Sequence, residues 1–312
     1  MKIVALAGGV GGAKFAHGLA QVLPPEDLTI IVNTGDDFEH YGLYICPDLD
    51  TVCYTLAGLA NPQTGWGRAN ETWNVIANAA QLGGPDWFRL GDQDLGTHLE
   101  RTRRLRAGQS LSHITRDFCD AWGIKQNILP MTDQPVRTIV ETAEEDLSFQ
   151  EYFVHRRCEP RVRGFRFEGV ESAEPAPGTR EAFQSAGAVI ICPSNPWVSI
   201  DPILRVFSSL FSGEEPGGRF FVISPIIGGQ TVKGPAAKMF RELGIEPSAL
   251  AVARHYGDLA TGFVLDAVDR QLEGEIRSLN MRTLVTNTLM NSHDDRMHLA
   301  GEVLDFIGGI NL

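Results

Sequence analysis

The sequence predicts an α/β protein with a doubly wound, mostly parallel sheet and a helical insertion, and three observations carry that prediction. Short β-branched runs alternate with helical patterns, which calls for crossover connections and hence parallel strands. The first run, residues 3–7 (IVALA), is apolar throughout, as in a strand covered on both faces. It leads directly into Gly8, Gly9, Gly11, Gly12 and Lys14, and then into an apolar helical pattern.

Strand, glycine-rich turn and helix N-terminus together hold phosphate in α/β proteins. Backbone N–H groups face the anion, the helix dipole favours it, and glycine permits close approach. Neither familiar version fits here. A dinucleotide fingerprint begun at Gly9 needs glycine where Lys14 stands, and a Walker-type loop begun at Gly8 needs Gly-Lys-Ser/Thr where the chain has Ala13, Lys14 and Phe15. Gly9, Gly11, Gly12 and Lys14 are therefore read as an anion-binding loop of uncommon type, against the competing reading of a tight turn without ligand.

The first helix is expected over 13–23, with Phe15, Leu19, Val22 and Leu23 on one side and Pro24-Pro25 as its stop. A strand over 28–32 ends in Asn33, Thr34, Gly35, Asp36 and Asp37, a polar turn of the kind that carries ligands in open parallel sheets. The next helix, over 47–59, opens on Pro47, Asp48, Leu49, Asp50 and Thr51. Asp48 and Asp50 have two readings. They cap that helix, or they join Asp36 and Asp37 as four carboxylates within fifteen residues, a density suited to Mg²⁺ and substrate phosphate.

Helical patterns over 70–82, 95–107 and 112–122, each closed by glycine, define an insertion at approximately 64–128 within a single catalytic unit, 1–312. Trp87, Phe88 and Arg89 lie between the first two of these helices. An arginine beside two aromatics serves a flat polar ring, or is an ordinary surface residue of a linking loop. Arg101, Arg103, Arg104 and Arg106 are expected on a solvated face.

Strand character returns over 136–141 and briefly over 151–154. The basic stretch His155, Arg156, Arg157, Arg161, Arg163 and Arg166 is either a charged edge strand or a counter-charge for phosphate or carboxylate. Strand-then-loop units over 188–192, 220–224 and 282–286 complete the pattern, and a last helix is expected over 293–307. They set Ser194 and Asn195 at a strand end, and Lys233 before a helix with proline in its first turn, a second anion site.

Composition narrows the chemistry. The 312 residues are 43% hydrophobic and 21% charged with a net charge of −12, which opposes a general nucleic-acid or membrane-surface role. No apolar run approaches the roughly 18 residues of a membrane span, and the apolar N-terminal run is short and glycine-interrupted, unlike a secretory signal. Five scattered cysteines without a C-x-x-C pair argue against a disulfide framework or zinc, and a reducing cytoplasm is expected. There is no G-x-S-x-G elbow, the eight histidines show no metal-ligand spacing, and the broken dinucleotide fingerprint disfavours hydride transfer. Handling of a phosphorylated ligand remains, where positioning and charge neutralisation carry phosphoryl transfer.

Motifs along the whole chain resemble one family. AGGVGGAK, NTGDD, CPDLDTVCYTLAG, FRLGDQDL, LPMTDQPVRT, EYFVHRRCEPRV, CPSNP and SPIIGGQTVKGPA resemble the 2-phospho-lactate transferases of coenzyme F(420) biosynthesis. The resemblance implies a Rossmann-like catalytic unit that joins the deazaflavin Fo to a phosphorylated three-carbon acid carried as a guanosine diphosphate-type diester. The ribityl hydroxyl attacks the phosphorus next to the acid and GMP leaves, with Mg²⁺ as cofactor. It implies that Asp50, Thr51 and Arg89 meet the deazaflavin. Gly9, Gly11, Gly12, Lys14, Asn33, Thr34, Ser194, Asn195, Gly229 and Lys233 hold the nucleotide. Asp36, Asp37 and Asp50 are the expected metal ligands, Asp48 and Asp50 the expected catalytic residues, and a homodimer the expected assembly. The rival readings are a non-catalytic nucleotide-sugar-binding regulator of similar fold and a nicotinamide-dependent oxidoreductase.

Overall fold

The computed structural model describes residues 1–211 and 219–309. Seven strands form one sheet: β1 (Ile3–Ala7), β2 (Leu28–Val32), β3 (Asn127–Pro130), β4 (Ala188–Ile191), β5 (Arg219–Ile223), β6 (Ala260–Asp266) and β7 (Arg282–Thr286). Their spatial order is β7-β6-β5-β4-β1-β2-β3, and every pairing is parallel. The chain moves outward from β1 to β3, returns to set β4 on the other side of β1, and moves outward again to β7. The order thus reverses between β1 and β4, in the Rossmann-like manner, and a crevice opens beyond the carboxyl ends of those two strands.

Alternation along β1 explains why all five of its residues are apolar and buried. Ile3, Ala5 and Ala7 pack into a layer with Phe15, Leu19, Leu49, Val52, Leu299 and Val303, whereas Val4 and Leu6 join the opposite layer with Val198, Ile203 and Phe207. In the first layer, helix α1 (Gly9–Val22) packs against α2 (Pro47–Leu56) and the last helix, His293–Gly308. Between β2 and β3 come α3 (Asn74–Gln81), α4 (Asp92–Arg106) and α5 (Leu111–Ala121). A small antiparallel sheet joins Asp146–Ser148, Arg137–Thr142 and Val162–Glu168.

Several elements differ from expectation. Helix α1 begins at Gly9 rather than Ala13, so the glycines form its first turn. The low helix propensity of glycine is overridden by packing against the loop after β4. Strands β3 and β6 were not expected. β3 is short and ends on Pro130, which an edge strand tolerates. β6 contains Gly262, which reads as a breaker but is required, because a Cβ there would lie 2.6 Å from the Phe221 ring. Residues Glu151–His155 are helical, not β-like, and the turn buries Tyr152. The basic stretch follows the edge-strand reading. Val162–Glu168 flanks the small sheet, Arg166 pairs with Asp146 at 3.1 Å and Glu168 at 3.0 Å, and Arg156 pairs with Glu145 at 2.5 Å.

Candidate active site

A cavity of about 730 Å³ fills the crevice beyond β1 and β4. Its floor is the contact between the two loops that leave those strands. The Gly8 N–H donates to Ser194 Oγ at 3.2 Å, and the Ser194 hydroxyl donates to the Gly8 carbonyl at 2.8 Å. Gly11 and Gly12 are dictated by this crossing: a Cβ would meet the Pro193 oxygen at 2.3 Å in the first and Ser194 Oγ at 2.6 Å in the second. Gly9 sits at φ +63°, where glycine is favoured.

Positive charge gathers at one end. Lys14 and Lys233 both line the cavity, Lys14 donating to the Met290 carbonyl at 2.7 Å and Lys233 to the Thr64 carbonyl at 2.5 Å. Burial, and then the charges of Arg296 and Lys233, hold the Lys14 ammonium below its ordinary value. Cations that repel one another at the N-terminus of α1 are relieved by an arriving anion.

Another part of the wall is aromatic. Trp87, Phe88 and Arg89 line it, with Phe149 and Phe153 from the helical stretch that follows the strand Asp146–Ser148. The Arg89 guanidinium lies 4.2 Å from the centroid of the Trp73 ring, and Trp87 stacks on His155 at 5.1 Å. This is a flat-ring wall with a charged edge.

Buried carboxylates line the same cavity, in two groups. In the first, the Asn33 amide nitrogen donates to Asp36 Oδ1 at 3.1 Å and to Asp48 Oδ2 at 3.0 Å, while Asp48 Oδ1 accepts the Gly9 N–H at 2.7 Å. Asp48 therefore serves the N-terminus of α1, not of its own helix, whose cap residue is Cys46. Burial raises Asp48 to about 6 against the pull of Asn33 and Gly9, and burial followed by the Asp48 charge holds Asp36 well above the usual carboxylate range. In the second group Arg101 donates to both oxygens of Asp50. Arg101 is 2% exposed, which overturns its expected place on a solvated face. Only Arg103 and Arg106 of that set are exposed, and Arg104 pairs with Asp117.

The expected site residues divide. Gly9, Gly11, Lys14, Asp36, Asp48, Asp50, Thr51, Arg89, Ser194, Asn195 and Lys233 line the cavity. Gly12, Asn33, Thr34, Asp37 and Gly229 do not line it, although Asn33 organises the first carboxylate pair from behind. Asp37 is buried between Arg137 and Cys46, away from the cavity. None of His155, Arg156, Arg157, Arg161 or Arg163 lines it. Lining residues that were missed include Thr64, Trp66 and Gly67; Phe149, Gln150, Phe153 and Val154; Thr288 to Asn291 after β7; and Asp94 with His98. A signal existed for the last: Asp94, His98 and Arg101 recur at i, i+4 and i+7, one face of α4.

These features define a Rossmann-like protein whose cavity carries two lysines, a flat-ring wall and buried carboxylates. Residues 3–293 match the family model described as 2-phospho-L-lactate transferase CofD. The chain is 43% identical to a phosphoenolpyruvate transferase of Streptomyces griseus, with 98% of each chain covered. It is 44% identical to a phosphoenolpyruvate transferase of Thermobifida fusca, covering 86% of this chain and 87% of that one. It is 38% identical to a 2-phospho-L-lactate transferase of Methanosarcina mazei, covering 96% and 98%. Among solved structures, protein BH3568 of Bacillus halodurans superposes with a TM-score of 0.63 at 13% identity over 97% and 99% of the two chains, which bears on the fold alone. The chain belongs to the CofD family of 2-phospho-L-lactate transferases, and it is an enzyme of the transferase class acting in coenzyme F(420) biosynthesis.

Proposed function

We propose that this enzyme transfers phosphoenolpyruvate, carried as its guanosine diphosphate-type diester, to the terminal ribityl hydroxyl of Fo. The observation that carries the reading is a single cavity that brings together three chemistries: the cations Lys14 and Lys233, the flat-ring wall of Trp87 and Phe88 with Arg89, and the carboxylates Asp36, Asp48 and Asp50. The names of the Streptomyces and Thermobifida relatives favour phosphoenolpyruvate over 2-phospho-L-lactate as the acid.

In the reaction the ribityl oxygen bonds to the phosphorus that bears the acid, the bond from that phosphorus to the GMP phosphate breaks, and GMP leaves. Arg89, Thr51 and the aromatic wall hold the deazaflavin. The α1 N-terminus, Lys14, Asn195 and Lys233 hold the nucleotide and neutralise the leaving phosphate. Asp50 accepts the hydrogen bond of the attacking hydroxyl and takes its proton as the new bond forms.

For Mg²⁺ the fitting donors are Asp36 and Asp48. Both are buried oxygen donors, both line the cavity, and burial and mutual repulsion make their charge costly without a cation. Asp50, Asp94 and His98 also converge within 4.8 Å, but the Arg101 guanidinium already neutralises the Asp50 carboxylate, and imidazole suits Mg²⁺ poorly. When bound, the cation supplies charge neutralisation at the phosphates. No helix of the described residues is long and apolar enough to cross a membrane. A cytoplasmic homodimer is the assembly we propose, and sedimentation measures it.

The test incubates the protein with Fo, Mg²⁺ and, separately, the guanylated forms of phosphoenolpyruvate, 2-phospho-L-lactate and a phosphoglycerate, and identifies products by mass. The phosphoenolpyruvate adduct is expected to form fastest; preference for another acid overturns the choice of acid, and no product from any overturns the reading.

A further inference from the structure

The polar side chains beneath Asp50 form one continuous chain. Arg101 Nη1 donates to Asp50 Oδ2 at 3.0 Å and Nη2 donates to Oδ1. The same Nη1 lies 3.2 Å from His98 Nδ1. An arginine nitrogen only donates, so His98 Nδ1 accepts, and neutral His98 carries its proton on Nε2. Nε2 faces Asp94 Oδ1 at 3.4 Å, an electrostatic contact rather than a hydrogen bond. Asp94 is itself fixed, accepting the Tyr54 hydroxyl at 2.6 Å while its backbone N–H donates to Glu71 Oε1 at 2.8 Å.

Stability alone gives little reason for such a chain. A buried ion pair with its supporting polar groups is commonly matched or exceeded by apolar residues of the same volume. His98 and Arg101 are nonetheless 1% and 2% exposed, on the face of α4 that borders the cavity beside Asp50.

We infer that Asp94, His98 and Arg101 are positioning residues for the transfer reaction, a relay of polar contacts that holds the Asp50 carboxylate in one orientation toward the attacking hydroxyl. The inference rests on the proposed role of Asp50. Arg101 uses a planar fork that lysine does not reproduce. His98 serves by accepting from Arg101 at one nitrogen and facing Asp94 with the other, which a glutamine amide also does through its oxygen and nitrogen.

The test compares wild type, Arg101→Lys, His98→Leu and His98→Gln for turnover of Fo with the guanylated acid and Mg²⁺, with thermal melts recorded alongside. Arg101→Lys and His98→Leu are expected to lower kcat about tenfold to a hundredfold, with KM for the guanylated acid within about twofold of wild type. His98→Gln is expected to recover most of that loss. Wild-type kcat in Arg101→Lys and His98→Leu overturns the inference while leaving the proposed function intact, as does a His98→Gln variant no better than His98→Leu. Absence of product from the wild type overturns the proposed function and this inference with it.

Discussion

Asp48 and Asp50 are two residues apart on one helix and do different work. Asp48 turns to a neighbour's N-terminus, where the Gly9 N–H and the Asn33 amide bind it, whereas Asp50 turns to Arg101 on α4. Spacing alone separates neither role, since both look like first-turn carboxylates free to cap their own helix. Arg101 was the harder residue to read, because one arginine among four on a polar helix reads as solvated until its partner across the fold is known. Arg89 belongs to this scale too. Its guanidinium rests on Trp73 at the flat-ring end, so Arg89→Ala is expected to raise KM for Fo about tenfold, from the loss of roughly 1–2 kcal/mol of cation–π and polar contact. KM for the guanylated acid should stay at its wild-type value. Steady-state kinetics with each substrate varied in turn checks both.

At the scale of elements, α1 was legible as a helix but not where it begins. Two of the glycines, Gly11 and Gly12, also make close contact with protein, pressed against Pro193 and Ser194. A Gly11→Ala variant places its Cβ 2.3 Å from a backbone oxygen, so it is expected to lose roughly 1–3 kcal/mol of stability, measured by urea unfolding. The other end of α1 carries a pH dependence. His17 is buried against His293, with ring centroids 4.9 Å apart, and burial, then Arg296 and His293, lower its pKa to about 4. The folded state then holds fewer protons on this group than the unfolded state between pH 6.5 and about 4. His17 stability is therefore fully present above pH 6.5 and is lost as pH falls through that window. Replacing His17 with glutamine is expected to flatten the acid side of the Tm profile by on the order of 1–3 kcal/mol equivalent. β3 and β6 stayed hidden because a terminal proline and an internal glycine imitate breakers. Both residues make sense only beside their neighbours in the sheet.

For the whole molecule, alternation of strand and helix was enough to give the doubly wound class, and buried β1 followed by glycine marked the switch point. What sequence did not supply is convergence. The cavity draws on the loops after β1, β4, β5 and β7, on the insertion and on the helical stretch after Asp146–Ser148, which are segments from Gly8 to Asn291. Residues such as Phe149, Thr64 and Met290 carry no local chemical signal, and only the fold brings them to one wall. The proposed function makes an ordered demand: both substrates would occupy one cavity, and the acid would pass from nucleotide to deazaflavin without release to water. The most direct test follows GMP release and Fo consumption together in the wild-type enzyme with Mg²⁺ and guanylated phosphoenolpyruvate. One GMP is predicted for each Fo converted to phosphodiester, with negligible GMP release when Fo is omitted. GMP released at the same rate without Fo, or binding of both ligands with no transfer, would contradict the account.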